Sequence, residues 1–374
     1  MRIVRYYPRA VLGDGGMTAA LRRWSESAAA LGEHVVIAFD GGTPPRDSAA
    51  EWVNLRHVGP ASFRLPIGLG GLLRDADIMV MQSGWAAHNL RAGGEARKAG
   101  VPYVLEPRGA YDPHIVRRKR LLKRAWWQLA EGQLVRDALA VHVFFESERP
   151  HLAALGSRGP EIVAPNGVVP PDSEQWDGGS GGYVLWVGRF DPEHKGLDLL
   201  VRAVAVLPPA ERPTLRLHGP DRRGGKGRVA GLARRLGVGP WIHIGGSVHG
   251  AERERLMTSA KAFVYPSRWE AFGNAPAEAA ALGVPVLATP YPLGRFLADH
   301  DAAVVADATP ESLAEGLRVV AGPRAPELGR NGAQLVREAF RWEDVARSWL
   351  ERRLTPSSAL ASRTSRSAPG TQIA

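Results

Sequence analysis

A chain of 374 residues, 44% of them hydrophobic, has the length of two ordinary domains and enough apolar material for a core in each. It contains no cysteine, which excludes a disulfide scaffold, a Cys-ligated zinc or iron–sulfur site and a thiol nucleophile. The formal net charge of +10 points to an anionic partner, whether nucleic acid, an acidic membrane or a phosphorylated substrate, without choosing among them.

The opening residues, MRIVRYYPRA, lack the apolar core of a secretory signal. No run of about 18 uninterrupted apolar residues occurs, so no transmembrane helix is expected and the expected compartment is the cytoplasm. In chain order, apolar runs predict strands at 2–7, 35–39, 78–82, 103–106 and 140–145. Helical patterns at 17–31, 86–99 and 116–137 fall between them. A second series predicts strands at 162–164, 183–187, 215–218, 242–244, 262–265, 285–288 and 303–305. Its helices are expected at 196–207, 251–260, 274–282 and 310–320. Strands alternating with helices of this length indicate parallel sheets covered on both faces. The Pro- and Gly-rich stretch PNGVVPPDSEQWDGG at 165–179 reads as a linker. The expected organisation is an N-terminal domain over 1–165, a C-terminal domain over 166–339, an amphipathic terminal helix over 340–354 and a disordered Ser/Pro/Arg-rich tail over 355–374.

The most informative stretch is 265–289, YPSRWEAFGNAPAEAAALGVPVLAT, read as strand, loop, helix, turn and strand. Seven residues separate Glu270 in the loop from Glu278 in the first turns of the helix. Gly273 permits a tight turn at the helix start, where free amides point outward and favour an anion. The two carboxylates suit paired sugar hydroxyls, because each oxygen accepts hydrogen bonds. Upstream, 183–200 reads YVLWVGRFDPEHKGLDLL and sets two cations, Arg189 and Lys195, after an apolar strand.

EAFGNAPAE with ALGVPVLAT behind it resembles the signature of the retaining family-4 glycosyltransferases. Gly188-Arg189 with Lys195-Gly196 resembles their G-R-x(5)-K-G element. The family usually carries Gly after the first Glu, where this chain has Ala271. The resemblance implies an α/β chain of the GT-B fold: two Rossmann-like, doubly wound parallel-sheet domains facing across a cleft. It implies transfer of a sugar from a nucleotide diphosphate sugar (a UDP- or GDP-sugar) to a hydroxyl acceptor, in cell-surface polysaccharide or glycoconjugate synthesis. Arg189 and Lys195 would hold the diphosphate, aided by the amides at Phe272, Gly273 and Asn274. Glu270 would hold donor-sugar hydroxyls and Glu278 the ribose. No metal and no cofactor are then expected, because the two cations carry the charge of the leaving group. Asn166-Gly167-Val168, LHGPD at 217–221 and IGGSV at 244–248 resemble further family loops, with Val248 meeting the nucleotide base. Gly15-Gly16 occupies the place of the Gly-rich first loop, which makes Gly16 a donor contact.

The stretch 103–114, YVLEPRGAYDPH, resembles the family's P-H-G-x-x-x-P motif near the reacting sugar, with Arg108 where many members have His. Arg is effectively never deprotonated, so Arg108 is no general base. It is a candidate for binding a phosphate or orienting the acceptor, as is the carboxylate of Asp112, with a structural salt bridge as the alternative for both. Ser83-Gly84-Trp85 with His88-Asn89 resembles another strand-end loop. The segment 115–129, IVRRKRLLKRAWWQL, holds six Lys/Arg interleaved with Leu121, Leu122, Trp126 and Trp127. It suits the surface of an anionic bilayer and hence a lipid-linked acceptor at the inner face of the plasma membrane. A solvated basic face with its tryptophans packed on the core is the alternative. No nucleic-acid-reading motif accompanies it. A nucleotide-sugar epimerase on the same fold, and a non-catalytic nucleotide-sugar-binding subunit, are the rival functions.

Overall fold

The computed structural model describes residues 1–9, 16–59, 65–171 and 175–354. Gly15 and the tail at 355–374 lie outside the described residues. The chain divides into two compact units, one of Met1–Pro165 joined by residues from Glu343 onward, the other Asn166–Trp342.

The first unit runs β1 (Arg2–Tyr7), α1 (Gly16–Ala30), β2 (His34–Phe39), β3 (Glu51–Asn54), β4 (His57–Val58), β5 (Leu65–Pro66), α2 (Leu69–Leu73), β6 (Ile78–Gln82), α3 (Ala87–Ala99) and β7 (Tyr103–Glu106). It continues with α4 (Pro113–Arg117), α5 (Arg120–Trp126), a π-helical turn (Trp127–Glu131), α6 (Gly132–Asp137), β8 (Ala140–Val143), α7 (Arg149–Ala154) and β9 (Glu161–Val163). Its main sheet has the order β3-β2-β1-β6-β7-β8-β9, and every pairing is parallel. Every residue of β6 and β7 is buried, which is why these strands read as continuous apolar runs rather than alternating ones. On one face Val4, Tyr6, Met79, Met81 and Leu105 pack against Ala92 and Ala96 of α3.

The second unit runs β10 (Tyr183–Val187), α8 (Leu197–Val206), β11 (Thr214–His218), α9 (Gly225–Arg235), β12 (Ile242–Ile244), α10 (Gly250–Thr258), β13 (Ala262–Tyr265) and α11 (Asn274–Ala281). It ends with β14 (Val286–Ala288), α12 (Pro292–Ala298), β15 (Val304–Val305), α13 (Pro310–Val320) and α14 (Ala325–Ala339). Its sheet order is β12-β11-β10-β13-β14-β15, again wholly parallel. Both sheets are doubly wound. The winding reverses between β1 and β6 in the first and between β10 and β13 in the second, and open α/β sheets bind ligands outside the strand ends at such a switch point.

The last helix, α15 (Trp342–Leu354), contributes Trp349 to the first unit. The buried rings of Trp349 and Trp24 of α1 lie 6.3 Å apart. The guanidinium of Arg5 on β1 sits over both, 5.5 and 5.8 Å from the ring centroids.

The single helix expected over 116–137 is a correction. Lys119 adopts φ 56 and breaks it between α4 and α5, and a π-helical turn interrupts it again. The wider turn brings Trp127 and Glu131 inward. There the Glu131 carboxylate accepts from Trp85 N (2.8 Å), the Tyr111 hydroxyl (2.7 Å) and Trp126 Nε1 (3.0 Å). Three satisfied bonds to a buried carboxylate outweigh the poorer geometry of one wide turn.

Candidate active site

In the second unit the candidate site residues Arg189, Lys195 and Glu270 follow the carboxyl ends of β10 and β13. Gly196 has φ 65, and a Cβ there would lie 1.8 Å from the Pro266 carbonyl oxygen. Only glycine lets the loop before α8 approach the loop after β13 so closely. That approach brings Lys195 to Glu270. The Lys195 ammonium is ion-paired with the Glu270 carboxylate and donates to the Tyr265 hydroxyl at 2.8 Å. Ser267 Oγ donates to the same carboxylate oxygen at 3.1 Å. His194 stacks on Trp269, with centroids 4.4 Å apart, donates Nε2–H to the Trp269 carbonyl at 2.9 Å and stands 3.5 Å from Glu270.

Burial opposes ionisation of Glu270, but the Lys195 charge, His194 and the hydrogen bonds outweigh it and hold its carboxyl below the usual range. Burial likewise opposes the Lys195 ammonium, and Glu270 with Tyr265 overcomes it and raises its affinity for the proton. Both groups are therefore charged at neutral pH. Arg189 is exposed, with Arg222, Asp191 and Glu270 as charged neighbours. Among the described residues its guanidinium has no hydrogen bond or ion pair.

Four residues beyond Glu270, α11 begins. Gly273 stands before it at φ 90, ψ 74, and the first-turn amides of a helix lack partners within it. Asn274 Oδ1 accepts from Asn166 Nδ2 at 3.1 Å, and the Phe272 ring is buried against Phe340 at 5.5 Å. Glu278, further along α11, is half-buried and ion-paired with Arg253 of α10. Burial pushes its carboxyl up against the pull of Arg253. Val248 is buried in the loop after β12.

In the first unit Arg108 follows β7 with φ 49. Its guanidinium donates to Glu106 Oε2 at 3.1 Å. Glu106 also takes Arg5 at 3.2 Å and His142 Nδ1 at 3.0 Å on its other oxygen. Burial opposes the Glu106 charge, but Arg5 and Arg108 hold its carboxyl well below the usual range. Asp112 caps α4, accepting from His114 N at 2.7 Å. Gly16 is the exposed first residue of α1.

Lys195 and Glu270 are thus in contact, with Arg189 and the α11 tip beside them. Glu278 is engaged by α10, and Arg108, Asp112 and Gly16 belong to the other unit. Sequence reasoning missed Tyr265, Ser267 and His194 in the first group, and Arg5, Glu106, His142 and the buried Glu148 in the second. One signal for the latter was present: Arg5, Glu106 and His142 are ionisable residues inside apolar strand runs, and buried charges require partners.

Residues 15–167 match the family model described as glycosyl transferase 4-like domain, and residues 181–321 match the model described as glycosyl transferases group 1. The chain belongs to the family-4, group 1 glycosyltransferases. Among curated relatives it is similar to a D-inositol 3-phosphate glycosyltransferase of Geodermatophilus obscurus, 30% identical over 200 residues, which are 51% of this chain and 44% of that protein. The chain spans about half the length of the curated relatives it matches. Among solved structures it is similar to a sucrose-phosphate synthase of Thermosynechococcus elongatus, with TM-score 0.70 at 20% identity over 95% of this chain and 99% of that one. It is also similar to HepE of Anabaena in complex with UDP and glucose, with TM-score 0.71 at 16% identity over 93% and 98%. At these identities the likeness shows the fold, which is GT-B.

Proposed function

We propose that this glycosyltransferase moves a sugar from a nucleoside diphosphate sugar to a hydroxyl acceptor, with retention of anomeric configuration and without a metal. One observation carries the reading: an exposed, unpartnered Arg189 beside the Lys195–Glu270 pair at the tip of α11. A diphosphate supplies the charge this group of donors lacks. The complex of the similar Anabaena protein with UDP and glucose supports the donor class.

In the proposed step the bond between the anomeric carbon and the diphosphate breaks, and the acceptor oxygen bonds to that carbon on the same face. The departing phosphate oxygen takes the acceptor proton. Arg189, Lys195 and the amides at Phe272, Gly273 and Asn274 stabilise the charge that builds on the diphosphate. Lys195 turns to the phosphate, and the released Glu270 carboxylate accepts from the sugar hydroxyls. Glu278 holds the ribose, the Val248 backbone the base, and Gly16 a donor phosphate. Arg108 and Asp112 are assigned to the acceptor.

The acceptor is proposed to be lipid-linked, met by a cytoplasmic enzyme at the inner face of the plasma membrane. Leu121, Leu122 and Leu129 are 82%, 64% and 85% exposed. Arg117, Arg118, Lys119, Arg120 and Arg124 are exposed in the same segment. Apolar side chains left in water among cations suit an anionic bilayer.

A thermal-shift screen of UDP- and GDP-sugars, followed by a transfer assay of the hit with lipid-linked acceptors, tests the reading. Stabilisation by one donor and an acceptor-dependent release of nucleoside diphosphate are expected. No stabilisation by any donor, or turnover of donor without acceptor, contradicts it.

A further inference from the structure

Glu106 stands alone against three basic side chains. Arg5, Glu106 and His142 are each at most 2% exposed, and the Arg108 side chain is 7% exposed. Two guanidinium charges already exceed the single carboxylate that joins them. His142 lies against the same carboxylate: its Nδ1 faces Glu106 at 3.0 Å and its Nε2 faces the Ala164 carbonyl at 2.7 Å. No second carboxylate pairs with Arg5, Arg108 or His142 among the described residues.

The hydrogen-bonding account is also open. Arg5 Nε and Arg108 Nε are buried without a partner. An unmade bond to a charged buried donor costs more than one to a neutral donor. Arg5 is sealed beneath Trp24 and Trp349, whereas Arg108 sits at the carboxyl end of β7, the end of an open α/β sheet where ligands bind. Its φ of 49 is a strained setting for a residue with a side chain. The centroid of the Phe144 ring lies 5.8 Å from the Arg108 guanidinium carbon.

We infer that Arg108, backed by the charge of Arg5, is an anion site that takes a phosphate group. That this phosphate is carried by the acceptor rests on the proposed transfer reaction; the anion site itself does not. Phosphate is favoured over a halide because the guanidinium fork matches two oxygens of one group.

Inorganic phosphate is the probe, titrated into the full chain in the presence of saturating UDP or GDP and at constant ionic strength. Hydrogen exchange should show protection of 104–112, and Arg108→Gln should weaken phosphate binding at least tenfold. The stabilisation by nucleotide should stay within twofold. Arg108→Lys should fall between the two, since it keeps the charge and loses the fork. Equal protection by chloride, protection confined to 115–124 or 186–196, or undiminished phosphate binding in Arg108→Gln overturns the inference. The wild-type exchange pattern decides the matter even if both variants fail to fold. Co-sedimentation with phosphatidylglycerol vesicles separates the sources of the phosphate. Loss of vesicle binding in Arg108→Gln assigns it to a lipid headgroup, and retention assigns it to a soluble or acceptor-borne group. If no nucleotide binds, the proposed reaction fails while protection of 104–112 by phosphate still stands or falls alone.

Discussion

Lys195 and Glu270, 75 positions apart in the chain, form a nearly buried ion pair that Tyr265 and Ser267 complete. The Gly196–Pro266 approach makes the pair possible, and it keeps an ammonium and a carboxylate charged at the tip of α11. Removing one partner leaves the other charge buried and uncompensated. Lys195→Ala should cost on the order of 3 kcal/mol of stability, and Lys195→Met with Glu270→Gln together should cost less than either alone. A double-mutant cycle by urea denaturation checks this; additive losses would show that the two side chains do not interact.

Arg189 lacks such a partner. Arg189→Ala should change stability by no more than about 0.5 kcal/mol, as at an ordinary surface position. It should nevertheless slow transfer by about 10² or more, if it stabilises the leaving diphosphate as such donors do. Denaturation midpoints and single-turnover rates measured on one preparation separate the two effects. An unchanged rate would remove Arg189 from the site.

Glu148 accepts from the Phe144 and Phe145 amides at 2.7 and 3.1 Å while buried, and burial, aided by the Asp112 charge, pushes its carboxyl from an ordinary 4.5 up to about 7. The folded state therefore binds this proton more tightly than the unfolded chain. Its contribution falls as pH rises from about 4.5 to about 7, by up to about 1.4 kcal/mol per pH unit. Glu148→Gln keeps an acceptor for both amides and removes the charge. Its stability should be flatter over that window and no lower than wild type at pH 8. Parallel pH profiles would refute the assignment.

Gly196→Ala should lose about 3 kcal/mol or more, since its Cβ would meet a carbonyl oxygen at 1.8 Å and φ is 65. Gly237→Ala is the matched control, with φ 68 and nothing within 4 Å. It should lose only about 1 kcal/mol. Equal losses would mean that backbone conformation alone, and not the close approach, requires glycine at 196.

Leu121→Ser with Leu122→Ser should reduce co-sedimentation with anionic vesicles at least tenfold, because a Leu side chain gains roughly 1.5–3 kcal/mol on burial. Raising the salt should weaken the remaining binding. Wild-type binding by the double variant would leave the segment a solvated basic face.

All strands of both main sheets but β3 were legible because buried parallel strands are unbroken apolar runs, as in IMVMQ and YVLWV; the edge strand β3, EWVN, has no fully buried residue and carries no such run. Helix α14 was not legible: Gly329 and Gly332 look like helix breakers, yet a Cβ at Gly329 would meet the Gly283 carbonyl oxygen at 2.0 Å. The glycine is there for contact, and contact has no local signature. Helix α9 hides behind Gly225, Gly227 and Gly231; a Cβ at Gly225 would meet the Phe190 carbonyl oxygen at 2.0 Å, whereas one at Gly227 would meet nothing within 4 Å. Of the candidate site residues, Lys195 and Glu270, which meet, and Arg189 beside them were legible through the family resemblance, whereas the Glu278 ion pair with Arg253 of α10 was not. The Arg5–Glu106–His142 cluster was not, because its members are joined across the sheet from positions 101 and 36 residues apart.

A structure of the chain with its intact donor or a non-transferable analogue bears most directly on the proposed site. The diphosphate oxygens should lie within hydrogen-bonding distance of Arg189 and of the amides at 272–274, with Lys195 turned to phosphate and Glu270 on the sugar hydroxyls. A nucleotide bound elsewhere, or the Lys195–Glu270 pair unbroken with Arg189 pointing away from the phosphates, would contradict it.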